Sequence, residues 1–162
     1  MGQLSLFAPP YKYIIDTSSL LSQKHDRGYR RTVFKGQWDK TDEHIANQTI
    51  VTCSEVESEI GDQEVMDRFK KLNPVVLPID YEIQDNVRRI VTENPKMIEF
   101  TANGKGSSFG DAFLVATAME YNLIVITQEN TSASRKIPQI CQKYGVKAIS
   151  IIELWEREGW IF

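Results

Sequence analysis

Five carboxylates stand where an alternation of strands and helices would bring them together. Asp16 closes the apolar run KYIID, and Glu55 and Glu59 lie in SEVESEIG, just after TIVTC. Asp111 opens the Ala-rich stretch DAFLVATAMEY, and Glu129 follows LIVIT in VITQEN. Glu55 and Glu59 are four positions apart, so a helix puts them on one face. Converging carboxylates without basic partners repel one another, so either some hold protons or a cation lies between them. An all-oxygen donor set suits Mg2+ or Mn2+ rather than zinc. A hard dication held this way acidifies bound water and offsets charge on a phosphate, the chemistry of water attacking a phosphodiester. Each acid alone has an ordinary explanation. Asp16 could be a turn former, Asp111 a favourable charge at a helix N-terminus, and Glu59 and Glu129 solvated surface acids. The set is more specific than its members, because one topology places all of them at one end of a sheet.

The elements that would position these acids follow from apolar patterning. Five short runs rich in Ile and Val read as strands: 12–16, 49–53, 75–78, 123–127 and 146–151. Helical spacing fills the gaps. Residues 29–47 carry one or two helices with Tyr29, Val33, Trp38 and Ile45 facing inward. Ser54 is expected to cap the next helix, with Glu57 completing a capping box. Further helices are expected at 63–72, at 81–93 (ended by Asn94-Pro95), at 110–121, at 134–144 (closed by Gly145) and at 152–158. This alternation predicts an α/β fold, a three-layer α/β/α domain with a five-stranded, mainly parallel sheet. In such folds the site lies beyond the carboxyl ends of the strands.

Composition narrows the class. The chain has 162 residues, 41% apolar and 25% charged, which fits a single domain. That domain is expected over 11–162, after a flexible N-terminal arm at 1–10 that ends in Pro9-Pro10. Apolar runs are too short to predict a membrane span. The start MGQLSLFAPPYKY lacks the pattern of a secretory signal. Two cysteines, Cys53 and Cys141, make no disulfide scaffold, so a reducing, cytoplasmic setting is expected. The net charge of −3 argues against a uniformly basic coat for nucleic acid. It is compatible with a nuclease whose metal-binding acids pull the average negative.

The succession YIIDTSSL, SEVESEIG and GDAFLVATAMEYNLIVITQEN resembles a PIN domain, the metal-dependent ribonuclease domain of VapC-type toxins and other RNA-processing nucleases. The tail KIPQICQKYGVKAISIIELWEREGW resembles a less characterised branch of PIN proteins, so the likeness covers about residues 11–160. The resemblance implies that Asp16, Asp111 and Glu129 are metal-site acids. It favours Glu59 as the acid on the helix after strand two, with Glu55 as second choice. It gives Ser18 the task of positioning the first carboxylate or a water. Thr127 would hold the loop that carries Glu129 or touch a metal-bound water. It further implies a Mg2+- or Mn2+-dependent endoribonuclease, the toxin of a toxin–antitoxin pair, with RNA, a cognate antitoxin and a second copy as expected partners. Two residues depart from the family pattern. The fourth acid is Glu where Asp is common, a longer reach that suits binding through water. Gly110 stands before Asp111, where Ala is expected.

Weaker signals accompany these. Gly104-Lys105-Gly106-Ser107-Ser108 lacks phosphate-loop spacing and follows no strand, so a flexible loop is expected in which Lys105 touches substrate phosphate. His25-Asp26 lacks the further ligands of a metal phosphohydrolase, since His44 is the only other histidine. Asp16-Thr17-Ser18 has Ser where a haloacid-dehalogenase phosphatase needs its second Asp. Arg27, Arg30, Arg31, Lys35 and Lys40, with Arg135 and Lys136, either form a basic rim for an RNA backbone or are ordinary charged helix faces. Tyr29, Phe34 and Trp38 either stack on bases or lie in the core, and core is expected for Trp38. The cysteines are expected to be buried packing residues. Trp155, Trp160 and Phe162 are expected to pack back on the sheet edge, a partner or dimer contact being the alternative. Two rival functions remain: a metal-dependent phosphatase or phosphotransfer domain, and a catalytically inactive PIN-like binding module. The retained acids argue against the second.

Overall fold

The computed structural model describes residues 10–95, 108–128 and 137–162. The five apolar runs become β1 (Tyr13–Ile15), β2 (Ile50–Cys53), β3 (Val76–Leu77), β4 (Ile124–Ile126) and β5 (Ala148–Ile149). They pair in the order β3-β2-β1-β4-β5, and every pairing is parallel. Tyr13 lies opposite Ile50 on one side and Ile124 on the other. The chain builds outward from β1 through β2 to β3, then returns to the other side of β1 with β4. The order therefore reverses between β1 and β4, the kind of crevice where open α/β sheets bind ligands.

Eight helices lie among the described residues: α1 (Thr17–Leu21), α2 (Lys35–Ala46), α3 (Ser54–Ser58), α4 (Gln63–Lys71), α5 (Tyr81–Glu93), α6 (Ser108–Tyr121), α7 (Ile137–Lys143) and α8 (Ile151–Glu158). Strand side chains alternate between faces, so each strand feeds two cores. Ile14, Val51 and Val125 pack with Ile83, Val87 and Ile90 of α5 and with the alanines of α6. Tyr13, Ile15, Ile50 and Ile126 pack with Trp38, Ile45, Phe69, Leu154 and Trp155. Helices thus cover both faces in three layers. Buried Ala112, Ala116 and Ala118 let α6 approach its neighbours closely.

Several local expectations change. Ser54 is not a cap: Cys53 holds that position with no side-chain hydrogen bond, because β2 runs straight into α3. The capping box is at Ser150 and Glu153 instead. Val33 is 60% exposed, because residues before Lys35 form turns and helical spacing does not apply there. Tyr29 and Phe34 are half-buried in an aromatic cluster. Their rings pack on Trp155 at 5.7 and 5.5 Å, and Trp38 meets the same indole at 5.7 Å. Trp155 and Trp160 are buried in the cluster that includes Ile149 of the edge strand β5, and they also reach α2, whose His44 ring lies 4.6 Å from Trp160. Phe162 is 74% exposed, although its ring lies over Gly36. No helix among the described residues is long and apolar enough to cross a membrane.

Candidate functional site

Asp16 leaves β1 at the switch point and caps α1. Its Oδ1 accepts the Ser19 backbone N–H at 2.9 Å. Ser18 Oγ lies 2.9 Å from Oδ1 and 2.8 Å from Oδ2, and Thr127 Oγ1 donates to Oδ2 at 2.7 Å. Asp16 is only 4% exposed. Burying a carboxylate is costly without such donors. Ser18 Oγ also accepts the Gln128 N–H at 3.0 Å, and Gln128 Oε1 accepts the Ile151 N–H at 2.6 Å. The last described residue before Glu129 is therefore tied both to the Asp16 turn and to the start of α8.

Glu59 is the C-terminal cap of α3 and is half-buried. Thr17 Oγ1 donates to the Val56 carbonyl at 3.2 Å, which fixes α3 beside the Asp16 turn. The Cys53 thiol at the end of β2 is pushed up to about 11 by burial, against the pull of the Val56 and Glu55 N–H groups. The Glu55 and Glu59 charges push it the same way, so both acids lie near the carboxyl end of β2. The Glu59 carboxylate rests on Gly110: a β-carbon there would overlap Oε1 and lie 2.8 Å from Cδ. Asp111 is the next residue, in the first turn of α6. Since α6 must finish near Leu123 to feed the amino end of β4, its first turn belongs at the carboxyl end of the sheet. Asp16, Glu59 and Asp111 thus share that end. Glu129, Lys105, Arg135 and Lys136 lie outside the described residues, as do residues 1–9 of the expected arm.

Comparison with known proteins comes to the same architecture. Residues 13–162 match the family described as "Domain of unknown function (DUF4411)". The chain belongs to the DUF4411 family. The crystal structure of PAE2754 from Pyrobaculum aerophilum superposes with a TM-score of 0.54 at 19% identity, covering 92% of this chain and 97% of that one. That likeness extends to the fold. No curated protein matches the chain.

In this DUF4411 chain the expected basic rim divides. Arg31 is half-buried and committed to Gln23 at 2.6 Å and Asp42 at 2.7 Å, with its guanidinium 5.3 Å from the centre of the Trp38 ring. Lys35 pairs with Asp39 and Lys40 with Glu43, both on the helix surface. Arg30 is exposed and reaches the Arg27 carbonyl. A cleft of about 290 Å3 is lined by Lys24, His25 and Arg31 from the α1–α2 connection and by Asp62, Glu64 and Arg68 from α4 and its cap, with Lys24 paired to Asp62 at 3.1 Å.

Among the described residues, three acids present carboxylate oxygens all within 4.8 Å of one another: Asp80, Glu82 and Glu120, a group that could hold a metal ion. None of them is an acid singled out in the sequence. Glu120 is nine residues beyond Asp111 on α6, about 13 Å along the axis, so this group sits at the other end of that helix. Sequence reasoning missed it because Asp80 reads as the helix cap that it also is. It also missed Gln128 and Thr17. The signal available for Gln128 was a polar side chain between a buried strand and an expected ligand.

Proposed function

We propose that this DUF4411 protein is a PIN-type endoribonuclease dependent on Mg2+ or Mn2+, acting as the toxin of a toxin–antitoxin pair. The seating of the Glu59 carboxylate on Gly110, beside Asp111 and at the sheet end where Asp16 is pinned, is the observation that carries this reading. The donors are all oxygens, which fits a hard dication and not zinc. When bound, such an ion supplies positive charge opposite phosphate oxygens and acidifies water.

The chain's own residues do the rest. Asp16 presents a carboxylate oriented in advance by Ser18, Ser19 and Thr127, so little reorganisation accompanies ion binding. Glu59 and Asp111 supply carboxylates from the facing helices, and Glu129 a further one from the strand end held by Gln128. No imidazole is needed as base. His44 is packed on Trp160, and His25 is exposed on the α1–α2 connection. Arg30, with Lys105, Arg135 and Lys136, contributes positive charge for the RNA backbone.

The test is cleavage of RNA by the purified chain with Mn2+, its loss on adding EDTA, and absence of hydrolysis of p-nitrophenyl phosphate. Monoester hydrolysis without RNA cleavage would favour the phosphatase reading. Failure to bind Mn2+ by calorimetry would favour a non-catalytic module.

A further inference from the structure

Gly110 has no backbone reason to be glycine. It is the third residue of α6 and lacks the left-handed φ found at Gly145 and Gly159. It is buried, and glycine is the poorest helix former after proline. What distinguishes the position is what lies over its α-carbon. The three atoms nearest to an added β-carbon all belong to the Glu59 carboxyl group, with Cδ at 2.8 Å and Oε2 at 3.0 Å. Ordinary contacts between such atoms need about 3.5–4.0 Å.

We propose that Gly110 is a positioning residue for the metal site, its missing β-carbon being the space into which the Glu59 carboxylate fits beside Asp111. This rests on the functional reading above and deepens it. The obstructed group is the far end of a flexible side chain, not backbone or core. An alanine at 110 therefore leaves the fold standing and evicts the carboxylate. The departure from the expected Ala at 110 thereby acquires a reason: an alanine's β-carbon would stand where the Glu59 carboxylate lies. Gly36, whose added β-carbon would meet the Phe162 ring, shows the same use of space with an aromatic occupant and no charge.

The experiment is Mn2+ calorimetry and thermal melting on the full chain, for wild type, Gly110→Ala, Glu59→Ala, the double variant Gly110→Ala/Glu59→Ala, and Gly110→Ala/Glu59→Asp. The expected Gly110→Ala protein melts at or above the wild-type temperature and binds Mn2+ about 10–100-fold more weakly. In the Glu59→Ala background the same substitution changes binding no further. The Glu59→Asp change, one methylene shorter, restores part of the lost affinity. Wild-type affinity in Gly110→Ala overturns the role of Gly110 and leaves the metal site standing. A melting temperature lowered by more than a few degrees overturns it as well, since backbone and not the Glu59 side chain would then be yielding. No Mn2+ binding by wild type overturns the metal-site reading itself, and this inference with it.

Discussion

Thr127 Oγ1 donates to Asp16 Oδ2 at 2.7 Å, joining residues 111 positions apart in the chain. Both leave neighbouring parallel strands, and the Asp16 N–H also donates to the Ile126 carbonyl at 3.1 Å. The bond belongs at once to the sheet and to the site. Thr127→Val keeps the shape and removes the donor from a buried carboxylate. The expected loss is about 1–3 kcal/mol of stability, read as a fall in melting temperature. Mn2+ affinity should fall with it. An unchanged melting temperature would mean that the hydroxyl carries nothing.

Asp16→Asn separates charge from capping. Asn is as good a helix cap as Asp, and the Ser18 and Thr127 hydroxyls can turn to accept from the amide. The variant should fold with native circular dichroism and lose RNA cleavage by at least about a hundredfold. Wild-type activity in a preparation free of host nucleases would remove the nuclease assignment.

Two acidic groups at opposite ends of α6 make rival predictions about where a cation sits. Glu120→Gln reduces repulsion within Asp80, Glu82 and Glu120 and should leave cleavage unchanged, with a stability gain of a few tenths of a kcal/mol at most, roughly that of an exposed pair. Comparing Mn2+ titrations of Glu120→Gln and Asp16→Asn decides between them. Binding lost in the first and kept in the second would relocate the ion.

Cys53 sets an alkaline limit. Burial pushes its thiol up to about 11, so the folded chain keeps this proton after the unfolded chain has released it. The unfolded state then holds fewer protons, and stability falls as pH rises from about 9 to about 11. Below that window the group contributes no slope. The effect is on the order of 2–3 kcal/mol across the window. Urea melts of wild type and Cys53→Ala at pH 8–11 measure it, the variant losing part of the slope. Identical slopes would show that the thiol is not what limits alkaline stability.

Much of this architecture was legible in one dimension. The strands are short Ile- and Val-rich runs that cannot be half-exposed, and the helix at 81–93 is bounded by Asp80 and by Asn94-Pro95. Both are local signals, carried by backbone and side-chain preferences within a few residues. Asp16 stood out for the same reason, as an acid at the end of a buried strand. Where turn geometry replaced helical period, as at Val33, the reading failed.

What the sequence by itself determined is the alternation of elements, and with it a parallel sheet whose acids fall near its carboxyl end. Only the tertiary structure decided which groups touch. Thr127 reaches Asp16 because β4 lies beside β1, and the Glu59 carboxylate rests on Gly110 because α3 packs against the start of α6. The close trio at Asp80, Glu82 and Glu120 exists because α5 begins where α6 ends. Strand order and helix packing are settled by how apolar faces fill a shared volume, a sum over many distant residues that no local window contains.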